Sequence, residues 1–171
     1  VKKQKYNLKA NVLHPKNIKW AKNLTSLSHD PAIIYANEFL DCLPIRQFYH
    51  KNDTWFEKMV NFNKEDKIFF TENKIINEPI TLSFLNKQDH NHTLEISEQR
   101  DNYFHQICKY LSKFGGASLI IDYGYFDNPN NFTLQSISNH QRTSIFDNPG
   151  RQDITSLVNF KRLIEIAKRY M

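Results

Sequence analysis

Two apolar runs in this chain end in acid and amide side chains. The first, Ile33-Ile34-Tyr35-Ala36, passes into Asn37, Glu38 and Asp41; the second, Leu119-Ile120-Ile121, passes into Asp122 and Tyr123. Glu38 and Asp41 stand three apart, a spacing that puts both carboxylates on one face of a helical turn. Paired carboxylates grip a guanidinium bidentately and aim one of its nitrogens, and Asn37 could add an amide contact. The alternative is structural: Asp and Asn favour turns, so Glu38 and Asp41 could cap or brace the turn before Pro44. Asp122 could likewise close a loop by accepting hydrogen bonds from the backbone.

What would bring the two acidic ends together is a parallel sheet. Ligands of open α/β sheets bind beyond the carboxyl ends of the strands, where side chains face a crevice instead of a packed core. Residues 32–35 and 117–121 are short, apolar and partly β-branched, which suits strands covered on both faces. Between them Ser97 can cap a helix in which Tyr103, Phe104, Ile107, Cys108, Leu111 and Phe114 recur at helical spacing until Gly115-Gly116 stops it. Helix running straight into strand is half of a βαβ crossover.

The stretch from Ile45 onward alternates instead. Ile45, Gln47 and Tyr49, then Trp55, Glu57 and Met59 against Phe56, Lys58 and Val60, flank the turn Lys51-Asn52-Asp53, the pattern of an antiparallel hairpin. Further strands are expected at residues 67–70 and 80–84, so residues 45–95 read as a β-rich insertion. Later strands are expected at 133–138 and 153–160, with Asn159 capping a last helix. The fold class is therefore α/β, a partial Rossmann-like sheet with a β-rich antiparallel insertion, in one incomplete domain spanning residues 1–171.

Composition narrows the partners. The 171 residues carry a net charge of +5, but lysine is scattered and never forms a basic block, and the aromatic residues do not alternate with basic ones. Nucleic acid is not an expected partner. Cys42 and Cys108 lie far apart without zinc-ligand spacing, which fits a reducing compartment, a bacterial cytoplasm. His90 and His92 alternate, yet no Cys or second carboxylate pattern accompanies them, so no metal site is expected. No apolar stretch approaches membrane-spanning length, and no membrane insertion is expected.

The string ANEFLDCLP at residues 36–44, with IRQF directly after it, resembles the MidA family of complex I assembly methyltransferases. GGASLIIDYGY at 115–125, TLQSISNHQ at 133–141 and NPGRQDITSLVNF at 148–160 extend that resemblance in order over nearly the whole chain from Asn17. It implies a class I methyltransferase fold, S-adenosylmethionine as cofactor, and an arginine of a complex I subunit as acceptor. On this footing Glu38 and Asp41 are the catalytic pair, Asn37 and Asp122 face the cofactor, and Tyr123, His140 and Asp153 line the acceptor side. A satisfied structural histidine remains the alternative at His140.

The family's Gly-rich loop and the acidic residue after its second strand have no counterpart here. The four glycines, Gly115, Gly116, Gly124 and Gly150, give no GxGxG-like spacing after a strand. The chain is thus expected to be a carboxyl-side portion, inactive alone, that could rejoin a separately encoded amino-terminal half. The rival readings are a protein-binding module and the relic of a split gene. Removal of neighbouring strands would leave an apolar edge and face, so a sticky chain is expected.

Overall fold

The computed structural model describes residues 18–75 and 93–171. The chain divides into a short unit, Val1–Asp30, and a main unit, Pro31–Met171. Among the described residues of the short unit, a 3-10 turn, Leu24–Ser26, is capped by Asn23, whose side chain accepts from the Ser26 amide at 3.1 Å. The strand expected at residues 80–84 and the His90/His92 pair lie outside the described residues.

The main unit begins with β1 (Ala32–Asn37), followed by β2 (Arg46–Lys51), β3 (Thr54–Phe62), β4 (Ile68–Lys74) and β5 (Thr93–Ile96). Next come α1 (Glu98–Phe114), β6 (Gly116–Ile121) and β7 (Gly124–Tyr125). The chain ends with β8 (Gln135–Ser138), β9 (Gln141–Thr143), β10 (Asp153–Thr155), β11 (Val158–Asn159) and α2 (Phe160–Ala167). β1 and β6 pair in parallel, as do β7 and β11, while β4-β3-β2-β5 and β10-β8-β9 are antiparallel.

The hairpin follows from its alternation and its turn. Asn52 and Asp53 both take positive φ, 49° and 53°, the two left-handed residues that a tight turn needs to match the twist of its strands. One face of the four-stranded sheet buries Phe48 and Leu94, against which Trp55, Ile75 and Ile96 pack. The helix begins where Ser97 accepts from the Arg100 amide at 3.3 Å, and it ends at Gly115. Leu40, Val158 and Leu163 form a second core with Leu43, Phe104, Ile120 and Phe160, joining the end of β1 to α1 and α2. Arg162 on α2 donates to Asp101 on α1 at 2.7 and 2.8 Å.

Two expectations are corrected. The single strand at 153–160 is interrupted at Ser156-Leu157, because the carbonyls there turn to a side chain of α1 and the Ser156 amide donates to the Asp41 carbonyl at 3.0 Å. Nor are β1 and β6 covered on both faces. The face turned from α1 carries Ile33, Tyr35, Leu119 and Ile121, which are 87, 63, 54 and 44% exposed. A parallel sheet hides both faces only when helices lie on each, and among the described residues this pair has a helix on one.

Candidate acceptor-side site

The ladder between β1 and β6 pairs Asn37 with Ile121 and continues one step further, the Glu38 amide donating to the Ile121 carbonyl at 2.9 Å. Glu38 and Asp122 therefore leave the sheet side by side at one rim. Glu38 takes φ +46°, a left-handed conformation that costs a residue with a Cβ roughly 1 kcal/mol. Its side chain and that of Asn37 are exposed.

Asp122 turns inward to the next loop. Its Oδ2 accepts from the amides of Leu40, at 2.8 Å, and Asp41, at 3.2 Å, while Oδ1 accepts from the Tyr123 amide at 2.9 Å. These contacts describe a carboxylate that closes a loop, and they set the direction of the Leu40-Asp41 peptide. Leu40 is driven into the core at 0% exposure, so the neighbouring Asp41 is carried below the surface with it.

Burial pushes the Asp41 carboxyl above its ordinary value, and the negative charges of Asp122, Asp153 and Glu38 push the same way against the Cys42 amide. Three other residues singled out from sequence, Glu38, Asp122 and Asp153, thus bear on the charge of Asp41. Tyr123 is exposed beside Asp122, and its carbonyl accepts from the Val158 amide at 2.8 Å. Gly124 serves for room rather than for a sharp turn: a Cβ there would stand 2.3 Å from the Val158 carbonyl oxygen and 2.5 Å from the Phe160 ring.

His140 lies elsewhere in kind. With Asn139 it forms the two-residue turn between β8 and β9, both at positive φ, at the end of the small sheet where Asp153 pairs with Ile137. It is exposed, and its place in a tight turn agrees with the structural alternative as well as with a place at the acceptor side.

One residue of this region went unread in the sequence. Arg100, 6% exposed, sends its guanidinium from α1 into the gap between the loop after β1 and the loop before β11. Nε donates to the Leu40 carbonyl at 2.7 Å and Nη1 to that of Leu157 at 2.9 Å. Nη2 donates to the carbonyls of Asp41, at 3.0 Å, and Ser156, at 2.9 Å, and to Ser156 Oγ at 2.6 Å. The signal was present: Arg100, Phe104, Ile107 and Leu111 fall on one helical stripe, so the arginine stood in a core position.

A glycine cradle for a nucleotide is not among the described residues. The turn after β1 is built from Glu38, Phe39 and Leu40, and both Asp122 oxygens are engaged with main-chain amides. Among the described residues, the groups at the rim suit a cationic ligand.

Residues 1–170 match the family described as "Putative S-adenosyl-L-methionine-dependent methyltransferase". The chain belongs to this family. A Caenorhabditis elegans relative, "Protein arginine methyltransferase NDUFAF7 homolog, mitochondrial", is 32% identical over 155 residues, covering 89% of this chain and 36% of the relative. The NDUFAF7 protein of Danio rerio is 27% identical, covering 88% and 36%. The chain thus spans about a third of the length of the curated relatives it matches. Among solved structures, a Burkholderia thailandensis protein described as a "likely methyl transferase" bound to S-adenosyl-homocysteine superposes with a TM-score of 0.78 at 20% identity. That superposition covers 99% of this chain and 45% of the other. The methyltransferase fold read from the sequence is the fold observed.

Proposed function

We propose that this member of the methyltransferase family forms the acceptor side of a protein arginine methyltransferase, with Glu38 and Asp41 holding the guanidinium of a protein substrate. The observation that carries the reading is that Glu38 and Asp122 leave the parallel pair side by side at one rim, where the Asp122 carboxylate accepts from the Asp41 amide. Methyl transfer is governed by alignment and by charge around the reacting groups more than by base strength. A guanidinium keeps its proton at neutral pH, so carboxylates serve it best by fixing its plane. S-adenosylmethionine, named in the family's description, is the methyl source. A complex I subunit is the acceptor that the resemblance suggests, and the two free thiols suit a reducing cytoplasm.

The test is titration of the chain with a short arginine-bearing peptide, followed by NMR of the Glu38 and Asp41 carboxylate carbons. We expect both to shift, and Glu38→Gln to weaken binding about tenfold, a loss near 1.4 kcal/mol. No shift at millimolar peptide, or equal binding by Glu38→Gln and by a lysine peptide, overturns the reading.

A second reading, a binding module that associates with a separately encoded amino-terminal half, is favoured by one feature. The contiguous apolar face of Ile33, Tyr35, Leu119 and Ile121 is of the kind that marks a contact surface.

A further inference from the structure

The four carboxylates come from three separate segments, and one side chain touches the main chain of two of them. We infer that Arg100 is the positioning residue of the acceptor rim: its buried guanidinium ties the Leu40-Asp41 turn to the Ser156-Leu157 turn, and so fixes where the segments bearing Asp41 and Asp153 meet. The inference rests on the acceptor-side reading of Glu38 and Asp41.

The geometry is complementary. Asp122 holds the amide side of the Leu40-Asp41 turn, and Arg100 holds the carbonyl side of the same two residues. Arg100 extends the grip to the carbonyls of Ser156 and Leu157 and to the Ser156 hydroxyl. The Ser156 amide donates directly to the Asp41 carbonyl at 3.0 Å, sealing the two turns together. Asp153 opens β10 three residues before Ser156, so its place is inherited from that junction.

Only arginine offers this many donors in a rigid plane; lysine has three on one rotating nitrogen and cannot span the same acceptors. A buried guanidinium is also costly unless its donors are satisfied. Here the donors meet main-chain oxygens and one hydroxyl, while the charges of Glu95, Asp122 and Asp41 offset the burial that lowers its proton affinity. Because the acceptors are main-chain oxygens, the carboxylates of the rim are left to other partners. Arg100 reaches no ligand itself; it acts through the loops.

The deciding experiment is residue-resolved amide hydrogen exchange on the full chain and on Arg100→Lys, with Arg100→Met as a second variant. A positioning role predicts that the Leu40, Asp41 and Ser156 amides exchange about tenfold faster or more in Arg100→Lys, while Phe48 in β2 and Ile107 in α1 keep their protection. Uniform loss across the molecule would make Arg100 a general stabiliser, and unchanged exchange at the three amides would remove it from the rim; either result overturns the inference. If Arg100→Met does not fold, Arg100→Lys decides alone. Peptide titration of the same variants reads the other question: failure of the unaltered chain to bind the arginine peptide sinks the acceptor-side reading, whereas the exchange pattern judges Arg100 by itself.

Discussion

The four-stranded sheet and the parallel pair both need to hide an apolar face, and they do so by different means. In β4-β3-β2-β5 the strands β2, β3 and β4 follow one another through short turns, and Phe48 and Leu94 are covered by side chains of the same sheet region. In β1-β6 the α1 face is covered and the other stays open, and the rim is fixed by polar contacts from Asp122 and Arg100 to the main chain. The contrast teaches that a local antiparallel sheet can cover its apolar face with its own side chains, whereas a parallel pair carrying charged groups at its end needs buried polar anchors to aim them.

The largest expected effect falls on the apolar region. Phe48→Ala should cost about 3–5 kcal/mol in urea unfolding, as a fully buried aromatic side chain does. A loss under about 1 kcal/mol would show that the sheet does not depend on its core, and the comparison would fail. Next, Asp122→Asn should cost about 1–3 kcal/mol, since an amide replaces a charged acceptor of three backbone donors. That loss should be accompanied by faster exchange of the Leu40 and Asp41 amides; stability lost without it would sever Asp122 from the rim.

Asp41→Asn should work in the opposite direction, raising the melting temperature by about 2 °C at pH 7. The sign follows from linkage. The folded state raises the Asp41 proton affinity through burial and through Asp122, so its contribution to stability is fully present below the ordinary carboxyl value and is lost as pH rises through the folded one. The difference between the two proteins should accordingly vanish below about pH 4, as read by calorimetry across pH. His140→Gly should stabilise by about 0.5–1 kcal/mol, because glycine takes φ +61° without strain. If it also weakens peptide binding, His140 belongs to the acceptor side after all. Leu119→Lys on the open face should change folding by no more than about 0.5 kcal/mol, yet sharply reduce self-association in light scattering. An unchanged association state would show that the apolar face is not the sticky one.

Legibility in the sequence follows the same division. The hairpin was readable because alternation and an Asn-Asp turn are local signals, and α1 because Ser97 and Gly115 mark its ends. The adjacency of Glu38 and Asp122 was readable from two apolar runs joined by one helix, since a parallel crossover brings like ends together. The break at Ser156-Leu157 was not, because it is imposed by a donor 56 residues away. Arg100 itself was masked by its type: charge suggests the surface, and only its place on the helical stripe argues otherwise. The open face of β1 and β6 was foreseen from the missing glycine loop and not from the two strands themselves. Apolar residues on both faces announce that a strand wants cover, and they do not say whether these residues provide it.

The two carboxylates owe their alignment to a contact at the opposite end of the ladder. Gly116 faces Ala32 so closely that a Cβ would lie 1.9 Å from the Ala32 carbonyl oxygen, with φ at +115°. No hairpin fixes the offset of two parallel strands, so this tight seat behaves as an index pin, and the acidic tips follow six residues, about 20 Å, downstream. A single residue inserted between Gly116 and Asp122 would leave the pin in place and swing the aspartate to the wrong side of the sheet, uncoupling the rim from its anchor without altering one of its side chains.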